Sequence, residues 1–337
     1  EGGGTLHDIV VEVRTWGRHR SNATLVCHAL TGDANADEWW NPLFGKGCVL
    51  DPSTMYVVAM NVLGGCNGTT GPTSVDPATS DLYGSSFPSI TIRDMVRLQR
   101  AVIDALGVTE LDLIIGGSMG GMVVLEWAAC YPEFVARIVP IAVGPSQSPW
   151  AVGFSEAQRN AIVSDPGFLD GNYRPDAPPA GGLSTARMIA MLSYRSAGEF
   201  RTRFGRAEDD DGFAVQSYLR YQGDKLVDRF DANSYLRLIE AMDSHDLGRG
   251  RGPIEAILRR ISAQALVVGI SSDVLYPVSE VRALAGAIPN ARFAVLDSPY
   301  GHDGFLVDAE ALNRLVLTQF ADRSLESAAP GRGAAWA

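Results

Sequence analysis

Short β-rich runs recur along the chain: "IVVEV" (residues 9–13), "TLVCH" (24–28), "YVVAMN" (56–61), "LDLIIG" (111–116), "RIVPIAV" (137–143), "ALVVGI" (265–270) and "ARFAVL" (291–296). The later runs are apolar on both faces, as the strands of a parallel sheet covered by helices must be. Helical periods lie between them. In "RDMVRLQRAVIDALG", Met95, Leu98, Val102 and Leu106 fall on one face before Gly107 stops the helix. Alternation of strands and helices predicts an α/β fold with a mainly parallel sheet.

One gap breaks the alternation. A βαβ crossover needs only a dozen or more residues, yet roughly one hundred and twenty separate residue 144 from residue 262. Helical patterns ("EAQRNAIV", "LSTARMIAMLSYR", "SYLRLIEAM") and polar breaks ("DGNYRPDAPPAGG", "RAEDDDG") fill it. This organisation predicts an α/β core over residues 1–144 and 262–323 and a helical lid over 145–261. Residues 324–337, "SLESAAPGRGAAWA", are expected to form a disordered tail.

Composition narrows the function classes. At 46% hydrophobic and 20% charged residues the chain is an ordinary globular one. Its 28 Lys and Arg against 39 Asp and Glu give a net charge of −11, which argues against a nucleic-acid binder. Arg195, Arg201, Arg203 and Arg206 form a local basic cluster, for which a solvated helix face is the plainer reading. No apolar run reaches the roughly 18 residues of a membrane span, and no signal-peptide pattern opens the chain, which starts at Glu1. Cys27, Cys48, Cys66 and Cys130 show no CxxC spacing, and the histidines are scattered. Free thiols in a reducing cytoplasm, and no metal site, are the expectation.

The chemistry concentrates in "LDLIIGGSMGGMVVLEWAACYP", where Ser118, the only serine or threonine, lies among glycines. Residues 116–120 fit G-x-S-x-G between a strand and a helix, the turn that lifts a serine nucleophile above the end of a sheet. The Met119 amide, at the helix start, is then aimed at a developing oxyanion. A serine hydroxyl needs a base, and in this turn's setting the partners follow in the order acid, then histidine. "ALVVGISSD" supplies Asp273 just beyond a strand, and "LDSPYGHDGF" supplies His302 after the next one. Asp297 and Asp303 compete for the acid role, although Asp303, adjoining His302, would orient its ring poorly. The second oxyanion donor is expected from "TLVCHALTGD", with the Leu30 amide the best candidate and His28 shaping the loop. His7, His19 and His245 read as structural or surface residues.

The segments "VCHALTGDA", "NVLGGCNGTTGPTSVDP", "GGSMGGMVVLEWA", "YLRYQGDKLVDRFDANSYL" and "SPYGHDGFL" resemble the homoserine O-acetyltransferase family of α/β-hydrolase-fold acyltransferases. The likeness runs over residues 5–321. It implies an α/β-hydrolase fold and acetyl transfer from acetyl-CoA, a co-substrate with no permanently bound cofactor, to L-homoserine in methionine biosynthesis. It implies that Ser118 carries the acetyl group, His302 is the base and Asp273 orients it. The same resemblance implies that Arg187 holds the substrate carboxylate, Asp303 its ammonium, and that Tyr194 lines the site. A homodimer assembled through the lid is also implied. Succinyl-using relatives tend to carry serines where this chain has "GGCNGTT", so Gly65 and Thr69 favour an acetyl donor. Val274 in "SSDVLYP" stands where a Trp is frequent in the family, a departure that bears on the acceptor more than on the chemistry.

Three other readings stay open at this stage. The acceptor could be a different hydroxyl compound of specialised metabolism. Water could take the acyl group, making the protein an esterase; the triad alone does not separate these, because hydrolysis and transfer share the acyl-enzyme. A non-enzymatic binding protein on the same fold would be expected to have lost a triad member, and none is lost.

Overall fold

The computed structural model describes residues 1–210 and 212–326. The apolar runs form the strands β1 (Val13–Trp16), β2 (Asn22–Cys27), β3 (Val57–Met60), β4 (Glu110–Gly117) and β5 (Arg137–Ile141), then a two-stranded pair β6 (Glu208–Asp209) and β7 (Gly212–Phe213), then β8 (Gln264–Ile270) and β9 (Ala291–Leu296). Seven of them build one sheet in the order β1-β3-β2-β4-β5-β8-β9. Only β1 runs antiparallel to its neighbour. The fold is thus the expected α/β one, a mainly parallel sheet flanked by helices.

Alternate residues of the strands feed two cores. Leu25, Val58, Ile114, Ile138 and Val267 face the helices Ile92–Ala105 and Met119–Cys130, meeting Met95, Val96, Ile103 and Met122. Val26, Ile115, Val139 and Val268 face the other way, onto Trp40, Leu43, Leu312 and Val316. Both faces are therefore buried, which is why the strands read as continuous apolar runs. The Ile92–Ala105 helix opens on a capping box between Thr91 and Asp94. Its deepest stripe is Ile92, Met95, Val96, Gln99 and Ile103, while Leu98, Val102 and Leu106 lie on a partly buried flank. The expected face was turned by part of a residue step.

The first expected strand is also displaced. Residues 9–12 do not join the sheet; they ladder onto the "GCNGTTG" loop, with the Val10 and Glu12 amides donating to Thr70 Oγ1 and Thr69 Oγ1, both at 2.9 Å. The sheet edge starts only at Val13.

Between β5 and β8 stand the helices Pro149–Val163, Ala180–Tyr194, Ala197–Phe204, Ala214–Val227 and Ala232–Asp243. Ser148, Ser196 and Asp231 cap three of them, each side chain accepting an amide of the first turn. Leu183, Ala186, Leu226 and Tyr235 join the same hydrophobic cluster as Leu30 and Leu63 of the core loops. The polar break "RAEDDDG" carries the small β6–β7 pair. At the chain end a helix runs over Ala309–Glu326, so the expected tail over 324–337 is helical for its first three residues; the remainder lies outside the described residues.

The sheet order reverses between β2 and β4: from β2 the chain moves on to β3 at one side, from β4 to β5 at the other. Ligands of open α/β sheets bind in the crevice beyond the strand ends at such a switch point. The loops after β2 and β4, carrying Leu30 and Ser118, meet there.

Candidate active site

Ser118 sits at φ +57°, ψ −123° between β4 and the Met119–Cys130 helix. A non-glycine residue in that region is strained and persists only where its surroundings over-determine it. The surroundings do so here. The Ser118 amide donates to the Ile141 carbonyl at 3.0 Å and its carbonyl accepts from Met122. A Cβ on Gly120 would lie 2.2 Å from the Cys27 carbonyl oxygen, and one on Gly117 would lie 2.6 Å from the Phe305 ring. The glycines let the helix start touch β2 and let Phe305 pack against the turn.

The Leu30 and Met119 amides find no acceptor among the described residues. Both residues are buried, and an orphaned buried N–H is rare in a folded protein. Leu30 and Ser118 line the same cleft. His28 is held structurally: its Nδ1 contacts the Ala29 carbonyl at 2.8 Å and its Nε2 accepts the Val62 amide at 3.2 Å.

The loops after β8 and β9 bring Asp273 and His302 together, with 2.7 Å between Oδ2 and Nδ1. The other Asp273 oxygen accepts the Leu275 and Tyr276 amides at 2.8 and 3.0 Å, so the carboxylate is fixed from behind. Asp297 is instead exposed and accepts from Ser271 Oγ. The His302 ring is buried, flanked by Tyr194 and Tyr276 at 5.7 and 5.3 Å and met edge-on by Phe305. Its Nε2 has no hydrogen-bond partner among the described residues. Burial alone would lower the His302 pKa, but the Asp273 charge and hydrogen bond, with Asp303 adding, leave it raised above the ordinary histidine value.

Ser118, His302, Leu30, Arg187, Tyr194, Asp303 and Phe305 line one cleft with about 420 Å³ of empty space, part of it open to solvent. Arg187, half-buried on the Ala180–Tyr194 helix, makes no hydrogen bond or ion pair with a described residue; its guanidinium lies 5.6 Å from the centre of the Tyr194 ring. Burial, with Asp303 adding and Arg187 opposing, pushes the Tyr194 hydroxyl up to about 12. Asp303 is not free: Arg195 Nε stands 3.2 Å from its Oδ2. This corrects the reading of Arg195 as one of four solvated arginines. The Ala180–Tyr194 helix ends at Tyr194, turning Arg195 toward the site, while Arg201, Arg203 and Arg206 are exposed as expected.

A second, wider cleft of about 1070 Å³ adjoins the first through Ala29, Thr31, Arg187 and Leu306 and adds Trp39, Lys225 and Arg229 to its walls. Gly65 and Thr69 line neither cleft. Thr69 Oγ1 accepts from Glu12 and donates to the Asn61 carbonyl, so its hydroxyl is spent on structure. Tyr276, Arg195 and Phe305 were invisible as site features in the sequence, except that Tyr276 follows Asp273 at the spacing of an Asx turn; the Leu30 and Met119 amides were expected there. Among the described residues no group of three His, Cys, Asp or Glu side chains is placed to hold a metal ion, and no helix is long and apolar enough to cross a membrane.

Residues 23–309 match the alpha/beta hydrolase fold family. A homoserine O-acetyltransferase of Chloroherpeton thalassium is 52% identical over 94% of this chain and 85% of its own length. The chain belongs to the homoserine O-acetyltransferase family. Among solved structures, a homoserine O-acetyltransferase from Bacillus anthracis superposes with a TM-score of 0.85 at 25% identity, covering 91% of each chain. An acetylester hydrolase from Corynebacterium glutamicum does so with a TM-score of 0.84 at 26% identity, over 95% of this chain and 93% of that one. Acetyl transfer and acetyl-ester hydrolysis are thus both named among proteins of this shape.

Proposed function

We propose that the protein is an O-acetyltransferase that moves acetyl from acetyl-CoA to the side-chain hydroxyl of L-homoserine through an acetyl-Ser118 enzyme, in methionine biosynthesis. The observation that carries the acceptor is the charge pattern of the Ser118 cleft. It holds an unpaired guanidinium, Arg187, and a carboxylate, Asp303, beside the reacting serine and histidine. An α-amino acid carries the opposite pair of charges, and a site that sheds water must match both. Arg187 offers a planar fork suited to a carboxylate. The wider cleft, with Lys225 and Arg229 beside Arg187, suits a large anionic donor.

In the first half-reaction His302 Nε2 takes the Ser118 proton as Oγ attacks the thioester carbonyl. The oxyanion forms against the Leu30 and Met119 amides. The C–S bond then breaks, His302 returns the proton to the departing thiolate, and acetyl remains on Oγ. In the second, the homoserine hydroxyl attacks that ester with His302 again taking the proton, which it hands back to Ser118 Oγ as the product ester leaves. Asp273 stabilises the imidazolium in both.

The rival reading, an acetyl esterase, is favoured by the likeness to the acetylester hydrolase. The two are separated by incubating protein and acetyl-CoA with a panel of hydroxy amino acids and with buffer alone. Thiol release that accelerates with homoserine, with O-acetylhomoserine as the product mass, supports the transferase; release at one rate in every case, with acetate as the product, supports the esterase. A homodimer through the lid belongs to the same proposal, supported by the exposed lid residues Trp150, Leu192 and Tyr221. Cytoplasmic localisation is proposed from the four free cysteines.

A further inference from the structure

The segment that ends one lid helix is clipped to the loop carrying His302. Ser196 Oγ donates to the Pro299 carbonyl at 2.5 Å, and a Cβ on Gly301 would lie 2.7 to 2.8 Å from the backbone of residues 194–196. Arg195 stands between these two contacts. It reaches Asp303 through Nε at 3.2 Å, and the side chains of both residues are only 15% exposed. The Nε–H is not aligned for a hydrogen bond, so the contact is ionic. Behind Arg195 lies Glu199, buried and within 4.0 Å of it.

We infer that Arg195 is a positioning residue for the acceptor: its guanidinium, set by the lid against the triad loop, holds the Asp303 carboxylate in place and in its charged form, ready for the acceptor's ammonium. The inference rests on the reading of the acceptor as an amino acid. Asp303 is met by Arg195 from the lid turn, Arg187 and Tyr194 from the Ala180–Tyr194 helix, His302 from its own loop and Asp273 from the loop after β8. Burial pushes its carboxyl up, Asp273 pushes the same way, and Arg195, Arg187 and His302 oppose. Of the opposing groups, Arg187 is the one assigned to the acceptor carboxylate and His302 must be neutral to act as a base. Arg195 is the remaining cation against Asp303 while the site fills. On balance the Asp303 carboxyl stands above the ordinary carboxylate range even with Arg195 in place, and removing that cation would push it further up and weaken its hold on an ammonium.

The test uses the full-length enzyme and measures each half-reaction from pH 6 to 9: Ser118 acetylation by acetyl-CoA, and transfer from acetyl-enzyme to homoserine. For Arg195→Met, transfer kcat/KM should fall at pH 7 on the order of 30-fold or more, with its ascending limb moved to higher pH. The acetylation limb should stay or move to lower pH, because a neutral Asp303 no longer supports the His302 charge. Arg195→Lys should restore most of the transfer and return its limb. Equal losses in both half-reactions with unmoved limbs would mean a merely structural clip and would overturn the inference, as would wild-type transfer by Arg195→Met. A wild-type enzyme that acetylates Ser118 but passes nothing to homoserine would overturn the acceptor reading and this inference with it.

Discussion

In the proposed mechanism His302 carries the proton in both half-reactions, and its surroundings raise its pKa: burial works against the charged ring, and Asp273 overcomes it. The base must be neutral, so kcat/KM should climb with pH through a midpoint above the ordinary histidine value of about 6.5 and fall away below it. Asp273→Asn should move that midpoint down and reduce kcat by about 10³- to 10⁴-fold, since the amide would favour the wrong tautomer; a steady-state pH profile of both proteins checks this. Arg187→Ala should cost transfer to homoserine about 2–5 kcal/mol and Ser118 acetylation clearly less, read from the two half-reactions in quenched mass spectra. The Ser118 turn and the Asp273–His302 pair were legible because each residue carries a local mark in the chain: the glycines around Ser118, and strand ends before Asp273 and His302. Arg195 carries no such mark. In sequence it is one of several arginines at helical spacing, and only the end of a helix at Tyr194 turns it inward.

Ser196 and Gly301 clip the end of the Ala180–Tyr194 helix to the loop that carries His302. Gly301 has φ +68° and no room for a Cβ beside residues 194–196. Gly301→Ala should therefore be destabilising by about 1–3 kcal/mol, and should reduce activity even in molecules that remain folded; calorimetry and residual kcat/KM together read both effects. The strands of the sheet interior were legible because burial on both faces writes itself as an unbroken apolar run. Residues 9–12 were not, because an apolar run bonded to a loop looks the same as one bonded to a strand; the hydroxyls of Thr69 and Thr70 took the place of a ladder. The offset face of the Ile92–Ala105 helix has a similar cause. Gln99 enters the core because the Trp127 indole N–H donates to it at 2.8 Å, a pairing that no hydropathy pattern encodes.

Across the whole molecule the lid and the sheet share one hydrophobic cluster, and His245 lies buried near their junction, its backbone accepting from Gln147. Burial, only partly opposed by Asp246, lowers its pKa from 6.5 to about 4. Between those values the unfolded chain binds more protons than the folded one, so this residue's share of stability is complete above pH 6.5 and is lost as the pH falls toward 4. The Tm should drop over that interval, and His245→Gln should flatten the drop if it folds to a comparable Tm at pH 7.5. The helices between β5 and β8 were legible from the length of the gap between strands; Arg187 and Tyr194 in the same cleft as Ser118 were implied only by the resemblance, and Arg195 against Asp303 is a consequence of packing that spacing does not reveal. The central claim is that acetyl rests on Ser118 and then passes to an amino-acid hydroxyl. Intact-mass measurement after rapid mixing with acetyl-CoA, followed by a chase with homoserine, tests it most directly. The protein should gain one acetyl group, lost promptly on the chase with O-acetylhomoserine appearing in step, and Ser118→Ala should gain none. Product formed without any acetylated protein, or an acetyl group that leaves as acetate at the same rate with and without homoserine, would contradict it.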